Sequence, residues 1–166
     1  MKKALLVIDM QEATVGKNHA DFFKYDDDLL RRVNNVIGAT DAELVVYIKN
    51  LMKNTLINKM APVKVFDGMP EAELAEELKK VSQHVYAKYV GDAFSNADFA
   101  KLLRDKQIDT VEVIGVDGGG CVSLTALGAI DNGYRVFVNT SAIGTMFDKK
   151  RDKLYEKLRK AGATIS

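Results

Sequence analysis

The stretch Ala4-Leu5-Leu6-Val7-Ile8-Asp9 sets the reading of this chain. Apolar residues follow one another with no polar alternation, and a carboxylate ends the run. A strand with one wet face alternates apolar and polar residues. A continuous run belongs instead to a strand buried on both faces, as in a parallel sheet covered by helices. Runs of the same kind follow at Leu44–Ile48, Val85–Ala87, Val111–Val116 and Arg135–Val138, with a weaker one at Ala163–Ile165. Helical patterns separate them. Leu29, Leu30, Val33, Val36 and Ile37 share one helical face, with Asp26–Asp28 toward its start, where the macrodipole favours acid. Glu71–Val81 is predicted as a helix around Leu74 and Leu78, and Phe99, Leu102 and Leu103 mark a shorter one. Val122–Ile130 reads as a buried helix, and Asp148–Lys160 as a highly charged, solvated one around Leu154 and Leu158. Strands alternating with helices imply right-handed crossovers and a three-layer α/β fold, a parallel sheet flanked by helices on both faces. The segment Asn50–Gly68 fits no element and is expected to cross over or lid the sheet.

No repeat, low-complexity tract or Gly/Ser/Pro-rich linker divides residues 1–166, which read as a single domain. With 24 basic and 23 acidic side chains the net charge is +1, which offers no field to steer nucleic acid or an anionic membrane. The run Ala4–Ile8 is too short for a signal peptide, and no stretch approaches a membrane span. A single cysteine, Cys121, cannot form an intrachain disulfide, so a reducing compartment, the cytoplasm, is expected.

Ligands of open parallel sheets bind at the carboxyl ends of the strands, beside the reversal of strand order. The residues following each run therefore carry the functional reading. Asp9 ends the first, Lys88 follows the third, and Gly115-Val-Asp-Gly-Gly-Gly-Cys121 follows the fourth, just before the buried helix. These types form a coherent chemistry. A helix start and an ammonium favour the reactive thiolate, a carboxylate can take the thiol proton and return it to a leaving amine, and glycines let backbone N–H groups face an oxyanion. Each residue alone has a plainer role. A lone cysteine opening a buried helix is commonly an apolar filler. An Asp after a first strand serves as a cap or metal ligand, and Lys88 taken singly is a surface lysine. Gly118–Gly120 fit neither the dinucleotide fingerprint nor a Walker loop. The conjunction at three strand ends is what favours catalysis.

Leu5-Leu-Val-Ile-Asp-Met-Gln11, Lys88-Tyr-Val-Gly-Asp-Ala-Phe94 and Gly115-Val-Asp-Gly-Gly-Gly-Cys-Val122 resemble, in order, the three signatures of isochorismatase-like cysteine hydrolases, which include nicotinamidases. The resemblance implies a six-stranded parallel sheet and a Cys–Asp–Lys triad. Cys121 would be the nucleophile, Asp9 the proton-accepting carboxylate and Lys88 the cation beside the thiolate. The backbone amides of Asp117 and Cys121 would form the oxyanion hole, with a cis peptide bond between Val116 and Asp117. The resemblance also implies a homo-oligomer, a dimer or larger.

Departures from the family pattern narrow the expectation. Gly118-Gly119 stand where the family usually has Thr-Asp, so the loop loses side chains. Nicotinamidases build a zinc or iron site from an Asp and closely spaced histidines after the second strand. Here the histidines are His19 and His84, far from that stretch, so neither metal nor other cofactor is expected. Thr14 stands where nicotinamidases tend to place an aromatic ring, which argues against nicotinamide. The expected activity is cleavage of a small-molecule amide or ureide C–N bond through a Cys121 thioester. A hydrolase acting on a non-amide substrate, or a catalytically silent binding or scaffold homologue, is the alternative. The substrate-binding positions are expected to be Gln11, Thr14, Tyr89 and Val122, with Gln11 bracing the site by hydrogen bonding more than touching substrate. Phe94 walls the pocket or packs in the core, and His84 is a surface or cap residue.

Overall fold

The continuous apolar runs become the strands of one parallel sheet. The computed structural model describes Met1–Ser166. In chain order the elements are β1 (Lys3–Ile8), a one-turn α1 (Glu12–Val15), α2 (Leu29–Ala39), β2 (Leu44–Asn50) and a one-turn α3 (Leu56–Lys59). There follow a 3-10 turn (Pro70–Ala72), β3 (Val85–Lys88), a second 3-10 turn (Ala93–Ser95), α4 (Ala97–Asp105) and β4 (Thr110–Val116). The chain ends with α5 (Cys121–Asp131), β5 (Arg135–Gly144), α6 (Asp148–Lys160) and β6 (Thr164–Ile165).

The six strands lie in the order β3-β2-β1-β4-β5-β6, all parallel. Because successive side chains of a strand point to opposite faces, β1 serves two cores. Ala4, Leu6 and Ile8 pack with Phe99 and Leu103 of α4, Val122 and Ala126 of α5, and Tyr155 and Leu158 of α6. Leu5 and Val7 pack with Leu29, Val33 and Ile37 of α2. Helices thus cover both faces, as the unbroken apolar runs require. The chain winds outward from β1 to β3, returns to β4 beside β1, and winds the other way. The carboxyl ends of β1 and β4 therefore meet at the reversal. Gly115, with φ 110°, closes that junction, where an added Cβ would lie 2.2 Å from the carbonyl oxygen of Ile8.

Two expectations need correction. Residues 71–81 form no helix beyond the 3-10 turn. Their backbone groups are claimed by other elements: Gln11 Nε2 donates to Ala72 O, Ala75 N donates to Met10 O, and the Tyr47 hydroxyl donates to Lys79 O. Asn34 Oδ1 accepts from Lys79 N and its Nδ2 donates to Glu77 O. Leu78 is buried in the α2-side core all the same, so the apolar spacing is real but the backbone runs through turns and bends. The fifth strand also runs past Val138 to Gly144, through the polar stretch Asn139–Ser141, and regains register with β4 at Ile143 and Gly144. The segment 50–68 leaves β2, makes the turn α3 and comes back, its Val65 carbonyl accepting from Met52 N. Leu51 and Val65 then pack with Ala13 and Ala72 in a small third core. No helix is long and apolar enough to cross a membrane.

Candidate active site

Asp9 directly follows β1 with φ 54°, a left-handed conformation uncommon for a residue with a Cβ and most accessible to Asp and Asn. Its amide donates to Ile48 O at 2.9 Å, and the Thr14 hydroxyl donates to its carbonyl at 2.6 Å. The bend turns the carboxylate in under the sheet edge, where Asp9 is 4% exposed.

Lys88 ends β3, two strands from β1, roughly 10 Å away at ordinary strand spacing. Its long side chain crosses the end of β2 in a fully buried path. Nζ donates to Asp9 Oδ2 at 2.9 Å and to Asn50 Oδ1 at 3.1 Å. The other carboxylate oxygen, Asp9 Oδ1, is buried and accepts no hydrogen bond.

Cys121 is the first residue of α5 and lines one cavity with Asp9, and its thiol feels the charges of Asp9 and Lys88. Burial and the Asp9 carboxylate push the thiol up to about 12, with Lys88 pulling only part of the way back. The lowered thiol pKa expected from a helix start and an ammonium is thus corrected: desolvation and the neighbouring anion outweigh both. Burial also raises Asp9, against the pull of Lys88. Burial lowers Lys88, but the negative charges of Asp9 and Cys121 together leave it raised. Asp9, whose hold on a proton burial strengthens, is the carboxyl group beside this thiol.

The loop between β4 and α5 has a cis peptide bond at Val116–Asp117, the position the family resemblance implied. Its amides are almost all used internally. Gly118 N donates to Gly144 O, Gly119 N to Asp117 Oδ1, and both Gly120 N and Val122 N to Asp117 O. Among residues 117–122, the amides of Asp117 and Cys121 alone donate to no protein group.

A cavity of about 190 Å³ adjoins the trio. Asp9, Asn50, Asp117 and Cys121 supply its polar wall, and Phe23, Tyr25, Val65, Met146 and Phe147 its apolar one, with Lys150 beside them. A wider open groove beside α2 carries Lys17, Asp26 and Arg31, but these charges are already engaged in ion pairs with Glu77, Arg32 and Asp28.

The structure sorts the remaining expected contacts. Thr14 borders the cavity, but its hydroxyl is spent on Asp9 and Gln11. Gln11 also borders it, with its amide fully occupied: Nε2 donates to Asn50 O and Ala72 O, and Oε1 accepts from Asn50 N. Gln11 is a brace. Tyr89 is not in the cavity. Because Lys88 points inward, the next side chain of this edge strand points away, and Tyr89 is half exposed. Val122 is also corrected: it is fully buried on the α5 face toward the sheet and does not line this cavity. Phe94 packs on Phe99, 5.1 Å between ring centres, as a core residue. His84 precedes β3, at the opposite end of the strand from Lys88. Asn50 was missed although it ends β2, where the strand-end rule pointed. Met146 and Phe147 were missed because β5 was expected to end too early. Phe23 and Tyr25 lie in an irregular segment with no periodic signal.

The metal site of nicotinamidases does not fit these residues. Asn50 ends β2, Leu51, Met52 and Lys53 follow it, and the one side-chain oxygen among them accepts from Lys88. No three His, Cys, Asp or Glu side chains come together in a way that could hold a metal ion.

This fold, with its reversal between β1 and β4, is that of the isochorismatase-like class of three-layer α/β proteins. Residues 3–166 match the Isochorismatase domain, and the chain belongs to that family. It is 32% identical over 105 residues to the probable hydrolase YcaC of Escherichia coli, a match covering 60% of this chain and 50% of that protein. It is 29% identical over 89 residues to the maleamate amidohydrolase of Pseudomonas putida, covering 52% of this chain and 42% of that one. The matched stretches thus span about half the length of these relatives or less. Among solved structures, N-carbamoylsarcosine amidase from Thermoplasma acidophilum superposes with a TM-score of 0.82 at 25% identity, over 100% of this chain and 96% of that one. The pyrazinamidase of Pyrococcus horikoshii in complex with zinc superposes at 0.84 with 23% identity, over 100% and 99%, a likeness of fold.

Proposed function

We propose that this chain is a cysteine hydrolase that cleaves the C–N bond of a small amide or ureide through a Cys121 thioester. The observation that carries the reading is the buried Asp9–Lys88–Cys121 cluster at the reversal, beside two amides that donate to nothing else. The amidohydrolase and amidase among the relatives support the same bond type.

In this reading the thiol proton passes to the free Oδ1 of Asp9 as the substrate carbonyl enters. The sulfur lone pair forms the C–S bond, and the carbonyl π electrons move onto oxygen, where the amides of Asp117 and Cys121 receive the charge. The carbonyl re-forms, the C–N bond breaks, and Asp9 returns the proton to the leaving nitrogen, giving ammonia or an amine. Asp9 then takes a proton from water, which attacks the thioester. The acid leaves, and the proton returns to sulfur. Lys88 keeps Asp9 and the developing thiolate from repelling each other, and Asn50 and Thr14 hold the two charges in place. The small cavity and its largely apolar walls suit a short acyl group.

The test is a panel of small amides and ureides with ammonia release as readout, run with a chelator present. Release is expected to persist with the chelator and to be abolished in Cys121→Ala. Equal release from the alanine variant, or loss on chelation restored by zinc, contradicts the proposal.

A further inference from the structure

Positions 118, 119 and 120 are glycine, so the loop before Cys121 has no side chains of its own there to hold its shape. Glycine allows many backbone conformations, and a free loop would turn its amides away from any common point. Packing crowds two of these glycines, Gly118 more tightly than Gly119. A Cβ at Gly118 would lie 2.5 Å from Thr145 Oγ1, and one at Gly119 would lie 3.1 Å from Phe147 O. The connection from β5 to α6 is pressed directly onto the loop.

Asp117 ties the two together. Its Oδ1 accepts from the Gly119 amide at 2.6 Å, and its Oδ2 accepts from the Met146 amide, in that connection, at 2.8 Å. Its carbonyl accepts from Gly120 and Val122, and Tyr25 lines the same cavity. Asp117 thus spends its side chain and its carbonyl on the loop, while its own N–H stays free.

We infer that the Asp117 carboxylate is a positioning residue, whose two backbone bonds lock the glycine loop so that the amides of Asp117 and Cys121 present to one ligand oxygen. The inference rests on the proposed function for the identity of that oxygen, the oxyanion of a tetrahedral intermediate. Asp9 and Lys88 are the charges that act most on the thiol, so removing the Asp117 carboxylate should disturb thiol chemistry less than it disturbs the oxygen site.

The test uses n-butyraldehyde, whose thiohemiacetal with Cys121 would place its oxygen between the same amides, the thiol proton passing to that oxygen or to Asp9. Its affinity is read from protection of Cys121 against iodoacetamide. Asp117→Ala is expected to weaken protection roughly 30- to 100-fold, in line with the loss of an oxyanion donor. The unprotected alkylation rate is expected to change less than about twofold. Asp117→Asn keeps one acceptor and should fall between the two, which guards against an alanine variant that fails to fold. Protection unchanged in both variants overturns the inference and leaves the hydrolase reading standing. Alkylation and protection lost together in both variants also overturn it, since Asp117 would then support the thiol or the fold. No protection of the wild-type thiol at saturating aldehyde removes the oxyanion site itself and the hydrolase reading with it.

Discussion

At the scale of single residues, Asp9 and Lys88 act on the sulfur with opposite sign. Asp9 raises the thiol and Lys88 lowers it, inside a site whose burial strengthens both. Asp9→Asn removes the anion and leaves the ammonium. The pH at which iodoacetamide reacts rapidly with Cys121 is therefore expected to fall, while amide turnover drops about 100-fold or more for want of a proton carrier. Lys88→Met is expected to move the alkylation profile upward. Rapid-quench alkylation across pH reads both shifts, and a shift of the same sign in the two variants contradicts the arrangement. The sequence made the proposed trio of Asp9, Lys88 and Cys121 legible, because each stands at or just past the end of an apolar run. It did not make their neighbours legible. Tyr89 and Val122 stand next to Lys88 and Cys121 in sequence but turn to other faces, one outward from an edge strand and one into the core. Adjacency in sequence says little about which face a side chain occupies when the strand end itself is uncertain.

At the scale of elements, β1, β2, β4 and α5 were readable because tertiary packing and local pattern agree. Residues 71–81 were not, because Asn34, Tyr47, Gln11 and Met10 take up the backbone groups that a helix would have paired within itself. Apolar spacing cannot reveal such competition from distant side chains. The end of β5 was hidden for another reason: Asn139–Ser141 are polar, the register with β4 shifts there, and side-chain bonds such as Asn139 Nδ2 to Glu112 Oε1 carry the strand through. Gln11 joins three of these elements, reaching β2 at Asn50 and the 3-10 turn at Ala72 while 1% exposed. Gln11→Ala strands three buried backbone groups. Urea unfolding is expected to show a loss of about 2–3 kcal/mol, with lower turnover as Asn50 loosens. A loss under about 0.5 kcal/mol would mean that water replaces the amide and that Gln11 braces nothing.

At the scale of the whole molecule, burying the trio ties stability to pH. The folded chain holds the thiol proton up to about 12, whereas an unfolded chain releases it near 9.0. The folded value is the higher, so this contribution is complete below pH 9.0 and is lost as pH rises toward about 12. Relative to Cys121→Ala, the wild type is expected to lose about 1.4 kcal/mol per pH unit in that window. Parallel stability curves for the two proteins from pH 9 upward would show that the thiol is not held protonated.

The central claim is that Cys121 carries the acyl group between the breaking of one bond and the attack of water. Intact-mass measurement of the enzyme, quenched in acid during turnover of whichever small amide releases ammonia, tests it most directly. The account expects a fraction of the wild-type chain to gain the mass of the acyl group, with the adduct mapped to Cys121 and absent from Cys121→Ala. Steady turnover with no adduct at any quench time, and continued ammonia release by Cys121→Ala, would contradict it.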